Sequence, residues 1–172
     1  GPLAGGDSGK GRLPDPERIA ELVLAVARGF RGPLSGRRVV VSAGGTREPI
    51  DPVRVITNNS SGRQGHAIAE VAVRLGADVT LVTSSDAPLA PDVVRHVQVV
   101  SVATAHDMHV ALTRESKGAD VVVMSAAVAD FRPKVVAPEK IKKQGGAPEI
   151  VLEPTPDILA GLGASKRPGQ VL

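Results

Sequence analysis

Apolar positions along the chain follow two rhythms, one of helical period and one of short continuous runs. Asp15-Pro16 opens the first helical stretch, with Asp suited to the N-cap and Pro to the first turn. Ile19, Leu22, Val23 and Val26 then fall at i, i+3, i+4 and i+7, and Gly29 stops the run. Val39-Val40-Val41 predicts a short buried strand. From about Gln64 to Leu75 the helical period returns, with Ile68, Val71, Ala72 and Leu75 on one face and Gly76 as stop. Val79 to Thr83 and Val97 to Val102 predict the second and third strands. Thr104 and Asp107 have the spacing of a capping box, with Asp in place of the usual Glu, ahead of a helix carrying Met108, Ala111 and Leu112. Val121 to Met124 is the fourth strand, and Ile150 to Leu152 a further candidate. Thr155-Pro156 predicts the start of a last helix, with Ile158, Leu159 and Leu162 apolar. No internal repeat is present.

Strands alternating with helices predict an α/β domain over 15–172, its mostly parallel sheet covered on both faces. Residues 1–14, Gly-rich and polar, read as a linker. In such sheets ligands sit beyond the carboxyl ends of the strands, which points to the segments after residues 42, 83 and 124. A length of 172 residues, 42% hydrophobic and 23% charged, suits one domain with a real core. No apolar run approaches the ~20 residues of a membrane-spanning helix, and the first dozen residues lack the apolar centre of a signal peptide. The absence of cysteine excludes disulfides, thiolate metal ligands and a thiol nucleophile and fits a cytoplasmic protein. A net charge of +3 suits anionic ligands. Phe30 and Phe131 are the only aromatic residues, which argues against nucleic acid, since single-strand and RNA binders stack bases on several rings.

Four features carry candidate chemistry. The first is the connection from the first strand to its helix, Ala43 to about Arg63. It is roughly twenty residues long where two to six are usual. It holds Gly44, Gly45, Thr46, Arg47, Glu48, Asp51, Arg54, Asn58, Asn59, Ser60, Ser61 and Gly62, and it runs into a helix N-terminus. Free backbone N–H groups, hydroxyls and a positive helix end make an anion site. The alternative is a serine N-cap with glycines for tight packing. No Walker loop is present. Gly62-x-x-Gly65, with Asp86 about twenty residues on, is half of a dinucleotide fingerprint, so an NAD(P)-binding Rossmann module is the competing assignment. The second feature is Ser125 to Asp130, where small residues admit a ligand to the backbone and the Asp can contact a sugar, a base or Mg²⁺. A packed strand end with a solvated Asp is equally open. The third is the basic run Glu139-Lys140-Ile141-Lys142-Lys143, either a solvated face or a flap that carries a lysine to a phosphate. The fourth is the histidines, His66, His96, His106 and His109, which lack metal spacing as a set.

Five motifs in order, Gly45-Thr46-Arg47-Glu48-Pro49-Ile50-Asp51, Thr57-Asn58-Asn59-Ser60-Ser61-Gly62, Ala126-Ala127-Val128-Ala129-Asp130, Glu139-Lys140-Ile141-Lys142-Lys143 and Pro156-Asp157-Ile158-Leu159, resemble bacterial phosphopantothenate–cysteine ligase over residues 37–172. Gly6 to Leu13 resembles the tail of the flavin-dependent decarboxylase fused ahead of that ligase. The resemblance implies a Rossmann-like three-layer sandwich and CTP-dependent joining of 4'-phosphopantothenate to L-cysteine through an acyl-cytidylate. CTP contacts are implied at Gly45, Ser60, Ser61, Gly62, Met124, Ser125, Ala126, Asp130, Lys140, Pro156, Asp157, Ile158 and Leu159. Asn58 and Lys140 are implied as catalytic, Asn58 and Ala127 as substrate-binding. Mg²⁺ is implied with the CTP phosphates, and FMN only in the fused decarboxylase. A homodimer of ligase domains is implied, larger when fused. The family pattern runs on beyond Leu172, with a phenylalanine, more phosphate-binding lysines and much of the dimer interface.

Overall fold

The computed structural model describes residues 15–143 and 146–172; the linker expected at 1–14 lies outside them. Helix α1 spans Pro16–Arg28, with the Ile19 amide donating to the Asp15 carbonyl at 3.1 Å. Four parallel strands, β1 (Arg38–Ala43), β4 (Asp78–Thr83), β5 (Val97–Ser101) and β6 (Val121–Met124), form the central sheet in the order β5-β4-β1-β6. Val39 and Val41 join the buried cluster beneath helix α2 (Arg63–Arg74), with Val79, Leu81, Ala69 and Val73. Val40 faces the other way, with Val82, Val122, Met108 and Leu112 of α3 (Ala105–Glu115) and Ile158 and Leu162 of α4 (Ile158–Ala164). Alternate side chains of one strand therefore feed two cores, which is why β1 reads as an unbroken apolar run. The expected three-layer α/β architecture is the observed one.

The local differences have identifiable causes. The long connection after β1 contains a ribbon, β2 (Arg47–Pro49) antiparallel to β3 (Val55–Thr57). Three-residue strands carry too little alternation to register in the sequence. The strand expected at 150–152 starts later, as β8 (Leu152–Pro154), and pairs outside the main sheet with β7 (Phe131–Pro133). The last helix opens at Ile158, not at Thr155-Pro156. Asp157 is its N-cap and accepts from the Ala160 amide at 2.9 Å, while the Thr155 hydroxyl donates to the Ala129 carbonyl at 2.5 Å. The capping box at Thr104 and Asp107 forms as expected.

Helix α2 lies unusually close to β1 because of Gly65. A β-carbon there would sit 2.5 Å from Ala43 Cβ and 2.7 Å from the Ser42 carbonyl oxygen. Gly65→Val is expected to destabilise the domain by about 1–3 kcal/mol, the usual range for overpacking. An unchanged urea midpoint would show that α2 can move away without loss.

Candidate functional site

The strand order places the third, second, first and fourth parallel strands side by side, so connections leave β1 and β6 in opposite directions. The crevice at such a switch point, beyond the carboxyl ends of the strands, is the ligand site of open α/β sheets. Here it is bounded by residues 44–46 after β1 and 125–130 after β6.

Hydrogen bonds sew these two segments together. The Ser42 hydroxyl, fully buried, accepts from the Ser125 and Ala126 amides at 3.0 and 3.1 Å. The Ala127 amide donates to the Gly44 carbonyl at 2.8 Å, and the Thr46 amide to the Ala127 carbonyl at 3.3 Å. Thr46 Oγ1, also buried, accepts from the Ala129 amide at 2.9 Å. Thr155 holds the far end through its hydroxyl and through its amide, which donates to the Asp130 carbonyl at 2.9 Å. The small-residue loop is thus held by hydrogen bonds as well as by the packing of Ala126 and Val128 against the second core and the burial of Ala129. Ser125 Oγ is the one buried side-chain oxygen or nitrogen among the described residues that lacks a partner.

Asn58 belongs to this network. Its Nδ2 donates to the Val128 carbonyl at 3.1 Å and to the Ala127 carbonyl at 3.3 Å, and its own carbonyl accepts from the Ser60 amide at 2.8 Å. Gly45 has to be glycine, because a β-carbon would lie 2.5 Å from the Asn58 carbonyl oxygen. Ser60 Oγ accepts from the Gly62 amide at 3.4 Å, and the Ser61 carbonyl accepts from Ser85 Oγ at 2.7 Å. The α2 N-cap is Gly62, with no side-chain cap, so the serine N-cap considered from sequence does not form. Glycines do provide tight packing, at Gly65. The two helices that follow start differently: α3 is capped by Thr104, with buried Glu48 accepting from the Ala105 amide at 2.8 Å, and α4 by Asp157. Of these three helices, α2 is therefore the one whose start has no side-chain cap, the condition under which a helix end receives an anion.

A cavity of about 360 Å³ opens beside the β6 loop. It is lined by Met124, Ala126, Asp130 and the run Pro156 to Leu159, together with Val128, Ala129 and Thr155. Seven positions singled out from sequence thus converge from two distant stretches. Its walls are about evenly polar and apolar, and Leu159, half-exposed, forms one of the apolar ones. The Asp157 carboxylate is occupied in capping α4, which leaves the exposed Asp130 as the acidic group at the rim.

Lys140 does not line that cavity. It borders a larger one of about 1010 Å³, with Arg54, Lys142 and Lys143 as its other cations. The segment carrying it is not a free flap over its whole length. The Lys134 amide donates to the Val151 carbonyl at 2.9 Å and the Ala137 amide to the Ile50 carbonyl at 3.0 Å. Ile141 is tied to Asp51 and Arg54. Arg54 paired with Asp51, helped by backbone amides, holds the Asp51 carboxyl well below the usual carboxylate range despite its burial.

Sequence reasoning left Ser42 without a role, placed Thr46 only within the candidate anion loop, and read Thr155 as a helix start, not as a support of the 125–130 loop. A hydroxyl at the end of a valine-rich strand was the available signal for Ser42. Nothing in the sequence tells which distant amide a hydroxyl will meet. His66 is structural, its Nδ1 2.9 Å from the Gly62 carbonyl, and His96 packs edge-on against Phe30. Among the described residues no three His, Asp or Glu side chains converge as a metal cage.

The model of the DNA/pantothenate metabolism flavoprotein C-terminal domain matches residues 34–172. The chain is 49% identical over 175 residues to the coenzyme A biosynthesis bifunctional protein CoaBC of Mycobacterium tuberculosis H37Rv, covering 99% of this chain and 41% of that protein. The namesake from Bacillus subtilis is 44% identical over 169 residues, covering 97% and 41%. The chain thus spans well under half the length of these relatives. Among solved structures, the C-terminal domain of a CoaBC protein superposes with a TM-score of 0.68 at 45% identity, covering 80% of this chain and 63% of that one.

Proposed function

The chain belongs to the family of DNA/pantothenate metabolism flavoprotein C-terminal domains, and from that premise we propose that it is the ligase part of an enzyme of coenzyme A biosynthesis, joining 4'-phosphopantothenate to L-cysteine at the expense of CTP. The observation that carries this is the cavity at the switch point, where Met124, Ala126, Asp130 and Pro156 to Leu159 meet. With so few aromatic rings in the chain, base choice falls to the backbone edges and Asp130, between the apolar walls of Val128, Pro156, Ile158 and Leu159.

In the proposed reaction the substrate carboxylate attacks the α-phosphate of CTP, releasing pyrophosphate. The cysteine amine then attacks the acyl-cytidylate carbonyl and CMP leaves. Two highly anionic substrates have to be held together, and fixed donors and cations aimed at the phosphates are the main tool for that. The uncapped amides of α2, with Gly45 and Ser60 to Gly62, provide neutral donors; Lys140 provides charge. Ala127 and Asn58 face the acyl group. A Mg²⁺ carried on the triphosphate would add charge neutralisation, held chiefly by phosphate oxygens, since the described residues form no carboxylate cage. FMN belongs, on this proposal, to a decarboxylase part of the same protein. A homodimer is also part of the proposal. Val53, Val55, Phe131, Val135 and Val151, exposed on or beside the two ribbons, support a contact there, and a monomer at all concentrations in sedimentation would count against it.

Calorimetry with CTP, ATP and NAD tests the nucleotide assignment. CTP is expected to bind most tightly. The competing dinucleotide assignment draws on the strand order and on Asp86, exposed just after β4. Against it stands the β2–β3 ribbon, which occupies the place of the short glycine turn that dinucleotide folds need. NAD binding without CTP binding would overturn the CTP reading.

A further inference from the structure

The turn between β2 and β3 is built around a buried carboxylate. The Asp51 side chain has no exposed surface. Its Oδ1 accepts from the Val53 and Arg54 amides at 2.9 and 2.8 Å. Its Oδ2 accepts from Arg54 Nε at 2.9 Å, from Arg54 Nη2, and from the Ile141 amide at 3.1 Å. Arg54 Nη2 donates in turn to the Ile141 carbonyl at 2.9 Å. Both backbone polar groups of Ile141, ninety residues on in sequence, are therefore held by one ion pair. The residue before Ile141 is Lys140.

We propose that Asp51, through Arg54 and the backbone of Ile141, is a positioning residue that fixes Lys140 at the basic cavity. The inference rests on the proposed role of Lys140 at the nucleotide phosphates. A lysine chain is long and flexible, so its charge is useful at a developing phosphate charge only where its Cα is held; a misplacement of ~1 Å can lower a rate by about 10²-fold. Asp51 and the Ala137–Ile50 bond hold the segment on both sides of Lys140. Asp51 does not serve as a general base. Its two oxygens already accept five hydrogen bonds, and it has no surface from which to reach a substrate. Breaking the pair would leave a buried charge unpaired, which is strongly unfavourable, so the clasp stays shut in the native protein.

The test combines one measurement without substitution and one variant, both in the full-length protein. The Ile141 amide should exchange with deuterium at least about tenfold more slowly than those of Lys142 and Lys143, which lie beyond the clasp. Asp51→Asn should raise tryptic cleavage after Lys140, Lys142 and Lys143 about tenfold. It should also lower the kcat of CTP-dependent pyrophosphate release about 10- to 100-fold, with little change in the KM for CTP. A fold defect alone would instead scale kcat with the folded fraction and leave the KM and the pyrophosphate released per folded molecule unchanged. An unprotected Ile141 amide, or freed cleavage sites with normal pyrophosphate release per folded molecule, would overturn the proposal. Should the unsubstituted protein release no pyrophosphate from CTP while Ile141 is protected, the ligase assignment is what fails, and the positioning role falls with it although the clasp stands.

Discussion

Asn58→Asp is expected to let CTP be consumed and then to stall, with acyl-cytidylate accumulating and amide formation slowed by roughly 10²–10³, the usual loss when one oxyanion donor is removed. The expectation starts from chemistry. A neutral amide holds triphosphate charge poorly but donates well to a carbonyl oxygen that gains charge as an amine attacks. The structure fixes that donor: Nδ2 lies between the Val128 and Ala127 carbonyls, at 3.1 and 3.3 Å. The longer bond is the one that can be exchanged for substrate, because the Ala127 carbonyl keeps the Thr46 amide as a second donor. The same geometry changes what the aspartate variant means. Asparagine and aspartate serve equally well in many turns, so a turn-supporting residue would tolerate the exchange. Here a carboxylate would face two carbonyl oxygens with no hydrogen to offer, so even a purely structural role predicts damage. Asn58→Ala is therefore needed beside it, since it removes the donor without adding charge. Rapid-quench measurement of pyrophosphate and amide decides the matter. If both products slow equally in both variants, Asn58 acts by shaping the 125–130 loop for the nucleotide. A normal rate of amide formation, with no trapped intermediate, would remove it from the mechanism.

Lys140→Ala should slow pyrophosphate release by about 10- to 150-fold, the equivalent of roughly 1.5–3 kcal/mol for one charge-assisted hydrogen bond, while cytidine recognition is largely kept. The separation follows from geometry. Lys140 borders the basic cavity with Arg54, Lys142 and Lys143, whereas the proposed base-binding residues line another. The backbone on either side is tied at Ala137 and Ile141, so alanine removes a charge without releasing the segment. Because the lysine is exposed, the wild-type advantage should shrink as ionic strength rises. Single-turnover pyrophosphate release at two salt concentrations measures both effects. An unchanged rate in Lys140→Ala would place Lys140 on a solvated face.

The strands of the sheet and the helices that cover it are set by local sequence. Runs such as Val39 to Val41 and Val121 to Met124 are apolar on both faces. The helical period from Gln64 to Leu75 is a local property, although the face it named is only partly the buried one: α2 buries Ala69, Ala72 and Val73, while Val71 and Leu75 are exposed because the sheet lies against a neighbouring stripe of the helix. The capping box at Thr104 and Asp107 is local too, closed within four residues, and it formed as the spacing predicts. The motifs that resemble the ligase family were also legible, because a family likeness lives in residue order. What the chain order could not supply was adjacency. Met124 and Leu159 are far apart in sequence and share a cavity wall only because α4 packs its Ile158 and Leu162 onto the same face of the sheet as α3. The Ser42 hydroxyl meets Ser125 and Ala126 because β1 and β6 are neighbours in register, a pairing that strand propensity does not specify. Asp51 is one polar residue of a long loop until tertiary structure lays Ile141 against it, and the ribbon β2–β3 and the strand β7 are too brief to announce themselves. Local periodicity is a sum over neighbouring residues, whereas a site is made of long-range contacts, and only the folded sheet, by fixing which strand ends lie together, decided which residues face one another.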